Sequence, residues 1–93
     1  MQFRLRVDAY KLVAHSHRVS TQAHAAIETA TCDAFGRYEV VCARAVAEEM
    51  LAWFDDCEAH NALRIHLAWT ARTCHQAKET IATALTESKG DAA

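Results

Sequence analysis

The stretch QFRLRVD at residues 2–8 decides the fold class, because it fits two different patterns. Phe3, Leu5 and Val7 alternate with charged residues, which is the spacing of a half-buried β-strand. Counting onward from Leu5, apolar residues recur mainly at steps of three, four and seven, which is the spacing of one helical face. A single strand needs a partner to pair with. We therefore expect a helix that starts near residue 5, and keep a short N-terminal strand at residues 2–8 as the alternative.

The rest of the chain is typical of an all-α protein. It has no Pro and only two Gly, and Ala is its commonest residue. Proline is the strongest helix breaker and alanine the best helix former. Stripes of apolar residues at helical spacing predict three helices, at about residues 5–30, 35–57 and 62–87. The remaining residues, 88–93, are expected to form a disordered tail. Because short connections make neighbouring helices antiparallel, we expect one domain, an up-down-up three-helix bundle.

Composition narrows the classes of function. The chain has 93 residues, of which 52% are hydrophobic and 24% charged, as in a folded globule. A net charge of -2 disfavours binding to nucleic acid. No apolar run approaches the roughly 18 residues of a membrane span, and the N-terminus lacks the apolar segment of a signal peptide. We therefore expect a small acidic cytoplasmic protein whose four Cys are free thiols.

Several large apolar residues are left over once the core stripes are assigned. In an up-down-up bundle the starts of the first and third helices lie at the same end, beside the end of the second. An exposed apolar cluster usually marks an interface, and Trp and Tyr are enriched at binding hot spots. The predicted interface consists of Phe3, Val7, Tyr10, Trp53, Phe54, Ile65 and Trp69. The alternative is that some of them cover the end of the bundle as additional core.

This aromatic-rich end favours a non-enzymatic protein-binding module that needs no cofactor. A homodimer leads, because closed symmetric dimers are the commonest oligomers. Docking on another protein, as a small inhibitor, immunity protein or adaptor, is equally compatible. The chain has no phosphate-binding Gly-rich loop and no HExxH motif. Its doubled carboxylates, Glu48-Glu49 and Asp55-Asp56, diverge around a helix and so do not form a catalytic pair.

The alternative function is a metal site inside the bundle, where ligands come from facing helices. The candidate ligands, which fall at a similar height if the corners lie near residues 33 and 60, are His24, Cys42, Glu49 and Cys74. Against this reading, Cys42 and Cys74 lie on core stripes, where a thiol usually acts as a small hydrophobe. Cys57 and His60 share a helix face, but a structural zinc site usually needs a second such pair.

Overall fold

The structure is a computed structural model that describes the backbone of residues 1–61 and 68–91 and the side chains of residues 1–61 and 68–87. Its elements in chain order are β1 (Gln2–Arg6), α1 (Val7–Ala14), α2 (Thr21–Glu28), β2 (Thr31–Cys32), β3 (Arg37–Val41), α3 (Arg44–Asn61) and α4 (Ala68–Asp91). The strands form one antiparallel sheet in the order β1-β3-β2. The prediction of an all-α three-helix bundle is therefore wrong, because the chain has a mixed α/β fold.

The strand alternative at the N-terminus is the correct one. In β1, Phe3 and Leu5 are buried and the residues between them are exposed, as strand alternation requires. The partner that a lone strand lacks is β3, which places Val40 opposite Phe3 and Tyr38 opposite Leu5. The predicted second helix (35–57) wrongly included the residues of β3, although Tyr38-Glu-Val-Val41 is rich in aromatic and β-branched residues that favour strands.

A tight turn joins β2 to β3. One carboxylate oxygen of Asp33 accepts hydrogen bonds from the backbone N–H of Phe35 (2.8 Å) and of Arg37 (3.0 Å). These donors, the Arg37 N–H foremost, lower the pKa of Asp33 below its ordinary value. Gly36 completes the turn with a φ of 77°, a conformation that L side chains adopt at a cost. Asp33 therefore fixes a hairpin turn, where the sequence had suggested the corner between two helices.

The predicted first helix (5–30) is divided into β1, α1 and α2. Between the helices, Ser16 accepts a hydrogen bond from the backbone N–H of Arg18 (3.1 Å), a local bond that competes with helix continuation. Ser20 then caps α2, since its hydroxyl oxygen accepts from the N–H of Ala23 at 3.2 Å. Glu49 on α3 holds this cap, accepting from the N–H (2.7 Å) and the hydroxyl (2.6 Å) of Ser20.

The long helices α3 and α4 pack antiparallel beside the sheet. Arg44 at the start of α3 donates to the carbonyl of Leu85 (3.2 Å), whereas Glu58 near its end contacts His75 (2.6 Å). The largest fully buried side chains are Phe54, Leu5, Ile27, Met50, Ile81, Val13, Val40 and Cys74. The backbone of α4 is helical through Asp91, beyond the predicted end at residue 87; residues 62–67 and 92–93 lie outside the described chain.

Candidate functional site

Four residues of the predicted interface pack inward. Phe3 and Phe54 are buried in the core. Trp53 meets Phe54 edge-on, with ring centroids 5.0 Å apart, and its indole N–H is buried without a hydrogen-bond partner in the described chain. Tyr10 stacks on Tyr38, with centroids 3.7 Å apart and planes 7° from parallel. These rings pack between the helices and the sheet. This corresponds to the alternative interpretation of the sequence, in which some of these residues form additional core.

The other described residues of that prediction, Val7 and Trp69, lie on the surface and close together. Val7 is 44% exposed and Trp69 59% exposed, and both line two adjoining grooves. Leu12 adds to the first groove, and Phe35, 88% exposed, adds to the second. We call Val7, Leu12, Phe35 and Trp69 the apolar patch. The remaining predicted interface residue, Ile65, lies outside the described residues.

Three separate elements present the apolar patch. The chain passes from β1 into α1 at Val7, so the strand alternation that buries Phe3 and Leu5 stops there and Val7 reaches the surface. Phe35 projects from the β2–β3 turn that Asp33 holds. Trp69 stands in the first turn of α4. Sequence reasoning missed Phe35 because it placed this residue on the core stripe of a helix; the Asp33 and Gly36 turn residues were the available signal.

The grooves are shallow and open rather than enclosed. The first has a volume of about 390 Å³ and lies along α1, reaching Lys11 and His15. The second has a volume of about 520 Å³ and lies between α1 and the β2–β3 turn, reaching Arg6 and Arg37. Together they form a continuous depression, in which the first groove is lined mainly by apolar side chains and the second by both apolar and charged ones.

Cations without ion-pair partners surround this depression. Arg6, Lys11 and Arg37 form no ion pair within the described residues, and Arg6 and Arg37 are directly opposite each other in the β1–β3 register. Like charges in opposite positions destabilise a sheet. Asp8, the carboxylate that borders both grooves, accepts bonds from the N–H of Ala9 (2.9 Å) and the hydroxyl of Thr73 (3.4 Å). The rim is thus basic although the chain as a whole is acidic.

A second polar cluster joins α3 to α4. Lys78 donates to Asp55 (2.8 Å) and Glu58 (2.6 Å), and His75 lies 2.6 Å from Glu58 and 3.1 Å from Glu79. The hydrogen bond from Lys78 is the main cause that lowers the pKa of Glu58, and His75 adds to it. Each of these groups contacts a partner, and the contacts of Lys78 and His75 with Asp55 and Glu58 connect the two helices. Sequence reasoning did not identify this cluster, because its members on α3 and α4 lie far apart along the chain.

The predicted metal ligands are not brought together. Within the described part of the chain, no group of three or more His, Cys, Asp and Glu residues could hold a metal ion. Two of the candidates instead form other hydrogen bonds: His24 Nε2 donates to the carbonyl of Ser16 (2.8 Å), and Glu49 accepts from the N–H and hydroxyl of Ser20. Burial raises the pKa of the Cys42 thiol. Burial is also the largest of the causes that raise the pKa of the Cys74 thiol to about 12.

The chain matches no family model, no curated protein and no solved structure. No helix within residues 1–61 and 68–91 is long and apolar enough to cross a lipid bilayer. The apolar patch and its basic rim therefore have to be interpreted from their own geometry and charge.

Proposed function

We propose that this protein is a non-enzymatic binding module that docks an acidic segment of another protein on the apolar patch. The observation that carries the proposal is the exposure of Val7, Phe35 and Trp69 in one depression whose rim holds three cations that form no ion pair within the described part of the chain. Exposed apolar surface of this kind, bordered by polar groups, is typical of interaction sites. Aromatic side chains supply a large contact area at low conformational cost, as hot-spot residues do.

The basic rim selects the chemistry of the partner. Complementary charge speeds encounter and excludes partners of the wrong sign. Arg6 and Arg37 are cross-strand partners in the β1–β3 register, a placement that sets like charges in repulsion, although the Arg6 guanidinium also reaches Gln76 (3.4 Å). A carboxylate placed between them would relieve that repulsion, so an Asp or Glu of the partner gains more here than at a rim whose cations are already paired. The occupant we infer has acidic residues flanking one or two large apolar side chains that enter the grooves.

A second copy of the chain fits this surface less well. A two-fold axis through the apolar patch would place Arg6, Lys11 and Arg37 of one protomer near the same cations of the other. Like charges brought together at an interface weaken association by several kcal/mol, which is enough to determine which partner binds. We therefore favour a different, acidic protein over the homodimer, and the oligomeric state becomes one outcome of the test.

The test uses two synthetic peptides with the same Leu and Phe anchors, one flanked by Asp and Glu and the other by Lys. Titration calorimetry against the full chain should give binding of the acidic peptide only, weakening as salt is added. Binding should be lost in Trp69→Ala and Phe35→Ala. Val41→Ala is the matched control, because Val41 is also an exposed apolar residue (62%) but lies outside the grooves.

Three results would overturn the proposal. One is equal affinity for the acidic and basic peptides, and another is an equal effect of Trp69→Ala and Val41→Ala. The third comes from native mass spectrometry, which reports oligomeric state directly. A dimer that Trp69→Ala converts to a monomer, and that Val41→Ala leaves intact, would assign the apolar patch to self-association instead.

A further inference from the structure

One carboxylate lies where the two grooves of the apolar patch adjoin. Asp8 is half-buried and lines both grooves. The cations are divided between the grooves: of the two, Lys11 lines the first, whereas Arg6 and Arg37 line the second. A segment that crosses the depression therefore meets cations in one groove, a carboxylate at the junction, and a cation in the other groove.

Asp8 contacts neutral groups rather than cations. Its two oxygens accept from the backbone N–H of Ala9 (2.9 Å) and the hydroxyl of Thr73 (3.4 Å). Lys11 is three residues further along α1, a spacing that places two side chains on one helix face, yet it forms no ion pair with Asp8 within the described residues. The carboxylate is thus positioned from α1 and α4, and no cation of the described chain lies within ion-pair distance of it.

A structural role accounts for part of this placement. A carboxylate in the first turn stabilises a helix by interacting with the N–H groups exposed there, and Asp8 stands in the first turn of α1. That role does not require the side chain to line the grooves, and it makes no demand on a ligand. The position of Asp8 between the cations of the two grooves does make one, because a segment that occupies both grooves has to pass this carboxylate.

We propose that Asp8 determines which acidic segments bind, by selecting a segment that carries one Lys or Arg between its two apolar anchors. This inference rests on the proposed docking function and adds to it the charge order of the partner, which is acidic, basic, acidic. The acidic ends meet Arg6 and Arg37 in one groove and Lys11 in the other, while the central cation meets Asp8. A central Asp or Glu would bring two carboxylates together, and like charges at an interface exclude a partner.

Net charge and charge order make opposite predictions for the central residue of the segment. If only the net charge of the depression mattered, affinity would rise with the negative charge of the segment, and a central Glu would bind best. Contact with Asp8 reverses this order, because a neighbouring charge acts more strongly than distant charges that salt screens. A central Lys is therefore expected to bind best, although it makes the segment less acidic.

The experiment uses three synthetic peptides with the same Leu and Phe anchors and the same acidic ends, and with Lys, Gln or Glu between the anchors. Titration calorimetry against the full chain should rank their affinities Lys, Gln, Glu, with about two- to fivefold between successive peptides. Asp8→Asn should reverse the order, because the charged residues that remain along the two grooves are then all cationic. Asp8→Glu, which keeps the charge, should preserve the order.

Asp56→Asn is the matched control, since it removes the same charge from an exposed pair with Arg18 away from the grooves and should leave the order unchanged. A wild-type order of Glu, Gln, Lys would overturn the role of Asp8 and leave the docking of acidic segments standing. This ranking needs no variant, so it decides the sign even if Asp8→Asn folds poorly. Equal rankings in Asp8→Asn and Asp56→Asn would also overturn it. If none of the three peptides binds, the docking function fails and this inference fails with it.

Discussion

The seam between α3 and α4 and the rim of the apolar patch both carry charged side chains, but only at the seam do cations and carboxylates form ion pairs within the described residues. At the seam, Lys78 contacts Asp55 and Glu58, and His75 contacts Glu58. At the rim, Arg6 and Arg37 are cross-strand partners, and neither forms an ion pair within the described residues, although the charge of Arg37 helps to lower the pKa of Asp33. Charge that is satisfied internally supports the fold, whereas charge that the fold leaves opposed and unpaired is available to a partner. Four experiments can break or sharpen this contrast.

The largest effect should come from comparing the core with the apolar patch. Phe54→Ala removes a fully buried ring and should lower the free energy of unfolding by about 3–5 kcal/mol. Trp69→Ala should change it by less than about 0.5 kcal/mol, because Trp69 is largely exposed. Urea denaturation followed by circular dichroism measures both. If Trp69→Ala unfolds the chain, Trp69 belongs to the core and the apolar patch loses its main residue.

Next in size is the loss of the carboxylate that holds the cap of α2. Glu49→Ala leaves the N–H and hydroxyl of Ser20 without their acceptor and should cost about 1–3 kcal/mol. Glu48→Ala is the matched control, since its exposed i,i+4 pair with Arg44 contributes about 0.3–0.5 kcal/mol. Thermal unfolding of both variants gives the comparison. Equal losses would show that the Glu49 contacts with Ser20 contribute little.

A smaller effect is expected at the seam, and it should depend on pH. Glu58→Gln should cost about 1 kcal/mol at neutral pH, because Glu58 and Lys78 are partly covered while His75 is half-exposed, so solvent still screens the contacts in part. The folded pKa of Glu58 lies below its ordinary value of 4.5, so its stabilisation is complete above that pH and is lost as the pH falls through the folded pKa. The difference in urea midpoint between wild type and Glu58→Gln should therefore shrink below about pH 4.5. A difference that grew in acid would contradict the sign of the shift.

The smallest change in stability is expected at the rim, and there the sign should reverse. Arg37→Gln removes one of two opposed cations and should raise the free energy of unfolding slightly, by about 0.2–0.5 kcal/mol. It should nonetheless weaken binding of the acidic peptide by about 1 kcal/mol, roughly fivefold. Arg18→Gln, which removes an exposed pair with Asp56 away from the grooves, should leave binding unchanged. If both variants bind alike, the rim does not select the partner.

Much of the helical part of the fold could be predicted from the sequence. The stripe through Cys74, Ala77 and Ile81 is buried on α4 as expected, because helical periodicity is a local property of the chain. The sheet could not be predicted in this way. The pairing of Phe3 with Val40 joins residues far apart in sequence. The strand preference of either five-residue segment is too weak, by itself, to overcome the helix preference of the Ala-rich sequence around it.

The candidate site was predicted in part for the same reason. Val7 and Trp69 were singled out as large residues outside the core stripes, and both line the grooves. Phe35 and Arg37 were missed, because their position follows from a turn and a strand that periodicity assigned to a helix. Phe3 and Phe54 were included because a bundle has no sheet to bury them, whereas the observed fold does.

The stack of Tyr10 on Tyr38 has a consequence for the thermodynamics of recognition. Tyr10 belongs to α1, which carries Val7 and Lys11, and Tyr38 belongs to β3, which follows directly on the turn that carries Phe35. The stacked rings, with centroids 3.7 Å apart, connect the two elements that border the second groove before any ligand arrives. A pre-organised receptor loses little entropy on association, so most of the ordering cost of binding would fall on the incoming peptide.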